Sequence, residues 1–160
     1  MEISDKDKIE KSDIILVGKI ITISPTRWNQ DDGSMWDAQG SQIGSFQIHE
    51  LEVQVIRKIV DDLNFGDKVT VTVLGTSPKE EYPDYTLSEG DQVVMFLKKG
   101  DIAWRETGVR NVLIFNGSPY QSLYVQNPDG QYELQWAKKM VTLDELLGQI
   151  ASLRPILPTN

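Results

Sequence analysis

The chain has 160 residues, long enough for one domain with its own core. Its 24 acidic against 16 basic residues leave a formal net charge of −8, and adjacent cations occur only as Arg57-Lys58, Lys98-Lys99 and Lys138-Lys139. Nucleic acid and anionic membranes draw affinity from clustered cations, so both are set aside as partners; zero cysteines remove disulfides, thiolate metal ligands and a cysteine nucleophile together.

Ser4 to Ser12, "SDKDKIEKS", opens on a capping residue with a carboxylate three positions on at Asp7, which predicts a short solvated helix covering one end of a sheet. From Asp13, "DIILVGKIITISPTRW" is β-branched and nearly continuous. It reads as a long central strand buried on much of both faces, with Gly18 permitting a bend and Pro25 ending regular pairing. Residues 29–45, "NQDDGSMWDAQGSQIGS", have no period and read as a long loop or a floppy hairpin extension.

The second strand, residues 46–60, changes parity: Phe46 and Ile48 are even, Leu51, Val53 and Val55 odd. Such a change predicts an inserted residue, a β-bulge near His49-Glu50. "KVTVTVLG" alternates Val69, Val71 and Val73 with Thr70 and Thr72, the pattern of a half-buried strand. "TSPKEEYPDYTLSEGD" is an acidic, Pro-containing loop, and "QVVMFLKKGD" a short strand ended by a charged Gly turn. Further strands fit Ala103 to Arg105, Val109 to Phe115 and Leu123 to Val125, the last opening a hairpin through Asn127-Pro128-Asp129-Gly130 to Tyr132, Leu134 and Trp136.

In "VTLDELLGQIASL", Thr142 and Glu145 form a capping box and Val141 and Leu146 a hydrophobic staple. Leu143, Leu146, Leu147, Ile150 and Leu153 then make one apolar stripe over residues 142–153, read as a lid over the end of the fold. Short strands spaced by turns, with helices only at the ends, predict a mainly β, closed antiparallel barrel over residues 13–136. No apolar run approaches the roughly 20 residues of a membrane helix.

The succession "SDIILVGKI", "FQIHELEVQVIRKI", "VTVTVLG", "LSEGDQVVMFLKKGD" and "DGQYEL" resembles the OB-fold-like domains of the netrin and tissue-inhibitor-of-metalloproteinase type, including their prokaryotic, cysteine-free relatives. The resemblance implies a five-stranded OB-like barrel, a non-enzymatic binding role and a place outside the cytoplasm. The N-terminus "MEISDKDKIEKSD" shows neither the basic start nor the apolar core of an export signal. The animal inhibitors chelate a protease metal through an N-terminal cysteine, so no inhibitory residue carries over to this chain.

His49 is the one histidine. It reads either as a general base or metal ligand or as a strand residue with a structural role; no HxH, HExxH or GxSxG spacing supports the former. No catalytic residue, metal ligand or cofactor motif is assigned. "TRWNQDDGSMWD" is the most suggestive stretch: Trp28 and Trp36 flank Asp31 and Asp32, and aromatic faces beside hydrogen-bonding groups suit protein or glycan recognition. The alternative packs Trp28 at the barrel mouth and uses Trp36 to pin the loop. The acidic loops follow no EF-hand spacing, and "NGS" at Asn116 is a glycosylation acceptor in form or simply a turn. The resulting expectation is a binding module that uses residues 26–45 and 76–91; the alternative is a hydrolase with paired carboxylates in a cleft beside the barrel.

Overall fold

The computed structural model describes residues 3–35, 44–134 and 137–159. Three helices, α1 (Asp5–Glu10), α2 (Pro119–Ser122) and α3 (Leu143–Leu153), accompany nine strands among the described residues. The strands are β1 (Ile14–Ile23), β2 (Arg27–Trp28), β3 (Gln47–Asp61), β4 (Lys68–Leu74), β5 (Gln92–Trp104), β6 (Thr107–Phe115), β7 (Leu123–Gln126), β8 (Tyr132–Leu134) and β9 (Lys139–Val141). None of the described helices is long and apolar enough to cross a membrane.

All strands belong to one sheet, in which β1, β3, β4, β6 and β5 follow one another and β5 returns to pair with β1. The result is a ring of strands. Its weakest link is β4 to β6, a parallel contact with one residue pair, Val71 and Leu113; the other links of the ring are antiparallel ladders. Beyond the ring, β7, β8 and β9 extend the sheet from β5.

β1 is buried on both faces, as its composition predicts. Ile14, Leu16 and Ile20 face an inner core shared with Leu51, Val53, Val69, Val71, Met95 and Phe115. Ile15 and Val17 face an outer core with Phe96, Tyr124, Tyr132, Ile9 of α1 and Leu146 and Ile150 of α3. Each fully buried aliphatic side chain contributes roughly 1.5–3 kcal/mol, which makes this two-sided strand the centre of the fold. Gly18 is required by close packing: a Cβ there would lie 2.5 Å from Val53 Cγ1.

The terminal helices follow their local signals. Ser4 accepts the Asp7 N–H at 3.1 Å, and Thr142 accepts the Glu145 N–H at 3.1 Å. Val141 and Leu146 both join the outer core, while Leu153 remains 38% exposed at the end of the stripe. Two expectations about these helices are corrected. α3 covers the outward face of β1, β3 and β5 and is no lid over an end of the ring. α1 is docked, with Lys8 only 5% exposed. Lys8 Nζ donates to Tyr124 Oη at 2.7 Å and to the Gln121 carbonyl at 3.1 Å, and lies 3.4 Å from Asp5. A buried ammonium persists because its donors are satisfied and the Phe96 and Tyr124 rings flank it at 5.2 and 4.9 Å.

Two strand expectations also change. β5 does not stop at the charged Gly turn; it continues through Gly100 to Trp104 and turns at Arg105 and Glu106 into β6. Gly100 stays extended because Ile114 packs over it, where a Cβ would meet Ile114 Cδ1 at 2.5 Å. The bulge expected at His49-Glu50 is absent: β3 pairs with β4 without interruption from Ile48 to Gln54. The extra residues of β3 are Ile56 and Ile59, where its register against β1 slips. The parity change has another cause. His49 occupies the inward slot of the row continued by Leu51, Val53 and Val55, and Ile48 is buried on the opposite face.

Candidate functional site

The long loop begins at a neck held by Asn29, which is fully buried. Its side chain accepts the Phe46 N–H at 2.9 Å and donates to the Gly44 carbonyl at 3.1 Å and the Ile102 carbonyl at 3.4 Å. Arg27 fixes the turn that follows: its Nη2 meets Glu50 at 2.7 Å, and its Nη1 donates to the Trp28 carbonyl at 3.1 Å and the Gln30 carbonyl at 2.5 Å. The planar guanidinium serves carboxylate and carbonyls at once, which an ammonium on a flexible stem would do less well.

The acidic loop is tied to the same segment. Ser77, which is buried, donates to the Ser24 carbonyl at 2.6 Å. Its N–H reaches Thr26 Oγ1 at 2.9 Å, Glu80 accepts the Thr26 N–H at 3.0 Å, and Glu89 accepts the Ile23 N–H at 3.2 Å. Glu89 also pairs with Lys79 at 2.6 Å, and this ammonium, ahead of the Ile23 N–H, holds its carboxyl below the usual range.

Between the two loops lies an open cleft of about 670 Å3, lined by Trp28, Gln47, Thr76, Glu80, Glu81 and Tyr82 among others. Trp28 is half-buried and Tyr82 is 82% exposed, so two aromatic faces meet solvent beside carboxylate, amide and hydroxyl groups. Comparison of the chain with protein-family models and with curated proteins finds no match. The chemistry of the site therefore rests on its own geometry.

Of the four residues read from the sequence as binding, Trp28 lines the cleft. Asp31 and Asp32 are exposed on the adjoining turn and are not among the residues lining it. Asp32 instead braces its own turn, accepting from Ser34 Oγ at 2.6 Å, Ser34 N at 2.8 Å and Gln30 Nε2 at 2.9 Å. These bonds, the Ser34 hydroxyl first, lower its pKa to about 2. Trp36 lies outside the described residues. Tyr82, Glu80 and Gln47 were not singled out by sequence reasoning. "KEEYPDY" carried the signal, an aromatic among acids in a Pro-containing loop, the same signature that marked Trp28.

His49 lies elsewhere, fully buried in the inner core. Its Nδ1 is 2.9 Å from the Gly75 carbonyl, which can only accept, so Nδ1 carries the proton. Nε2 then accepts from Tyr85 Oη at 2.7 Å. Burial pushes the His49 pKa down, against the opposing pull of the Gly75 carbonyl and Asp84. Burial likewise pushes the Tyr85 hydroxyl far up, with Asp84 adding to it. A neutral imidazole with both nitrogens engaged is a cross-link between β3, the end of β4 and the acidic loop. Among the described residues no group of three or more His, Asp or Glu side chains is placed to hold a metal ion.

Proposed function

We propose that this protein is a non-enzymatic binding module that recognises a glycan or protein through the cleft between residues 26–35 and 76–91. The observation that carries this reading is the convergence of the two loops on one polar cleft with Trp28 and Tyr82 at its surface. Aromatic faces supply stacking area at low conformational cost, and the carboxylates and amide around them supply directional hydrogen bonds. That combination favours a sugar ring, apolar on its face and polar at its edge. The strand order β1-β3-β4-β6-β5, returning to β1, supports the reading of the ring as an OB-like barrel of the netrin type, whose members act outside the cytoplasm.

A glycan array followed by calorimetry on the wild-type chain, Trp28→Ala and Tyr82→Ala tests the proposal. Loss of one aromatic face is expected to weaken a bound glycan by about 10- to 100-fold, the cost of one stacking anchor. Affinity unchanged in both variants would remove the cleft as the site.

A further inference from the structure

A second concavity opens where β4 and β6 part. The two strands share only the Val71–Leu113 pair, and past it they diverge around a pocket of about 400 Å3. Its walls include Leu74, Ile102, Ile114, Pro119, Tyr85 and Tyr120. Tyr85 belongs to the His49 cross-link, so one partner of that pair lines the pocket and His49 stands behind it. At the far side the Tyr120 hydroxyl donates to the Asp84 carbonyl, holding α2 against the acidic loop.

The volume falls in the range of small-molecule sites, and the charge is one-sided. Asp84 and Asp101 line the pocket, no lysine or arginine is among its lining residues, and the chain as a whole carries −8. Asp84 accepts the Thr76 N–H at 2.8 Å; Asp101 accepts the Asn111 N–H at 2.7 Å and faces Arg110, itself half-exposed, at 3.4 Å. A carboxylate has about four acceptor positions, so both keep capacity for a further donor. From the apolar walls, the tyrosine rings and the carboxylates at the rim, we infer that the pocket binds a small organic cation, an ammonium carried on an apolar or aromatic body. The ammonium sits at the rim between carboxylate and ring face, and the apolar body fills the space between β4 and β6.

The test is calorimetric titration of the full chain at low salt with three compounds of similar shape: 2-phenylethylamine, 2-phenylethanol and 3-phenylpropionate. The amine is expected to bind about tenfold more tightly than the alcohol, and the carboxylate most weakly. Asp84→Asn retains an acceptor for the Thr76 N–H and is expected to bring the amine down to the affinity of the alcohol. Leu74→Lys places a competing ammonium at the mouth from a side chain that is 57% exposed, so its folding is unaffected, and it is expected to do the same. Binding should also move the His49 and Tyr85 ring signals in the NMR spectrum, which fixes the location. Equal affinity for the three compounds, no binding of any, or an amine affinity that survives Leu74→Lys would each overturn the inference.

Discussion

The cleft at Trp28 and the pocket beside Tyr85 are both made where loops meet strands, yet they are held together in opposite ways. The cleft is assembled by polar staples, Arg27 on Glu50 and Glu80 on the Thr26 N–H nearer the surface and Ser77 on the Ser24 carbonyl beneath them. The pocket is walled in part by core side chains, Val73, Ile102, Phe115 and Tyr85, the last of them hydrogen-bonded to the buried His49 behind it. Surface hydrogen bonds exchange with water and each adds little net stability. A buried pair left half-made costs the full desolvation of the orphaned group. Exposed residues of the cleft such as Glu81 and Tyr82 can therefore vary without endangering the fold, whereas the buried Ser77 and Asn29 beside it, like the pocket's Tyr85, are tied to the core's integrity.

His49→Ala tests this contrast most severely. It leaves a cavity, an unpartnered Gly75 carbonyl and a buried Tyr85 hydroxyl without its acceptor, and the expected loss is about 3–4 kcal/mol by urea unfolding. A loss below about 1 kcal/mol would show that the pair is not structural. The same group gives a pH signature. Its folded pKa is depressed below the ordinary 6.5, so the unfolded chain binds the extra proton first. Stability from this group is whole above pH 6.5 and is lost as pH falls from there towards the depressed folded value. His49→Gln should be flat across the same window.

Asn29→Ala comes next. It removes the amide that joins Phe46, Gly44 and Ile102 at the neck of the long loop, at an expected cost of about 2 kcal/mol. It should also weaken ligand binding at the cleft more than amine binding at the pocket, which it reaches only through the long 3.4 Å bond to the Ile102 carbonyl.

Tyr82→Ala sharpens the comparison from the other side. The ring is 82% exposed, and its removal should shift stability by less than about 0.5 kcal/mol even though it costs affinity. A larger destabilisation would mean that the acidic loop packs more tightly than its exposure indicates. The smallest effect belongs to Asp32, whose carboxyl should titrate near 2 in a carbon-13 NMR experiment and return towards 3.8 when Ser34→Ala removes the hydroxyl donor. Being depressed, its contribution is present above pH 3.8 and fades as pH falls towards 2.

Much of the architecture was legible in one dimension because it is set by short-range interactions. The caps at Ser4 and Thr142 each close over three residues. Asn127 makes its turn by accepting the Asp129 and Gln131 N–H groups, both at 3.0 Å. The alternation of Val69, Val71 and Val73 sends them to the inner core through strand geometry alone. Trp28 and the loop around it were likewise marked by composition. The charge balance and the missing cysteines needed no structure.

What tertiary structure alone decided involves partners far apart in the chain. His49 meets Tyr85 at a separation of 36 residues and Lys8 meets Tyr124 at 116, so neither polar residue announces its burial locally. The parity of residues 46–55 misled because period-2 reasoning places only apolar residues inward, and it had no means of giving an inward slot to a histidine whose hydrogen bonds are met from another loop. Gly100 resembled a turn because the side chain that packs over it, Ile114, comes from the next strand. Local preference sets which elements form; long-range burial and the pairing of buried polar groups set where they bend, what they hide and which surfaces they leave open.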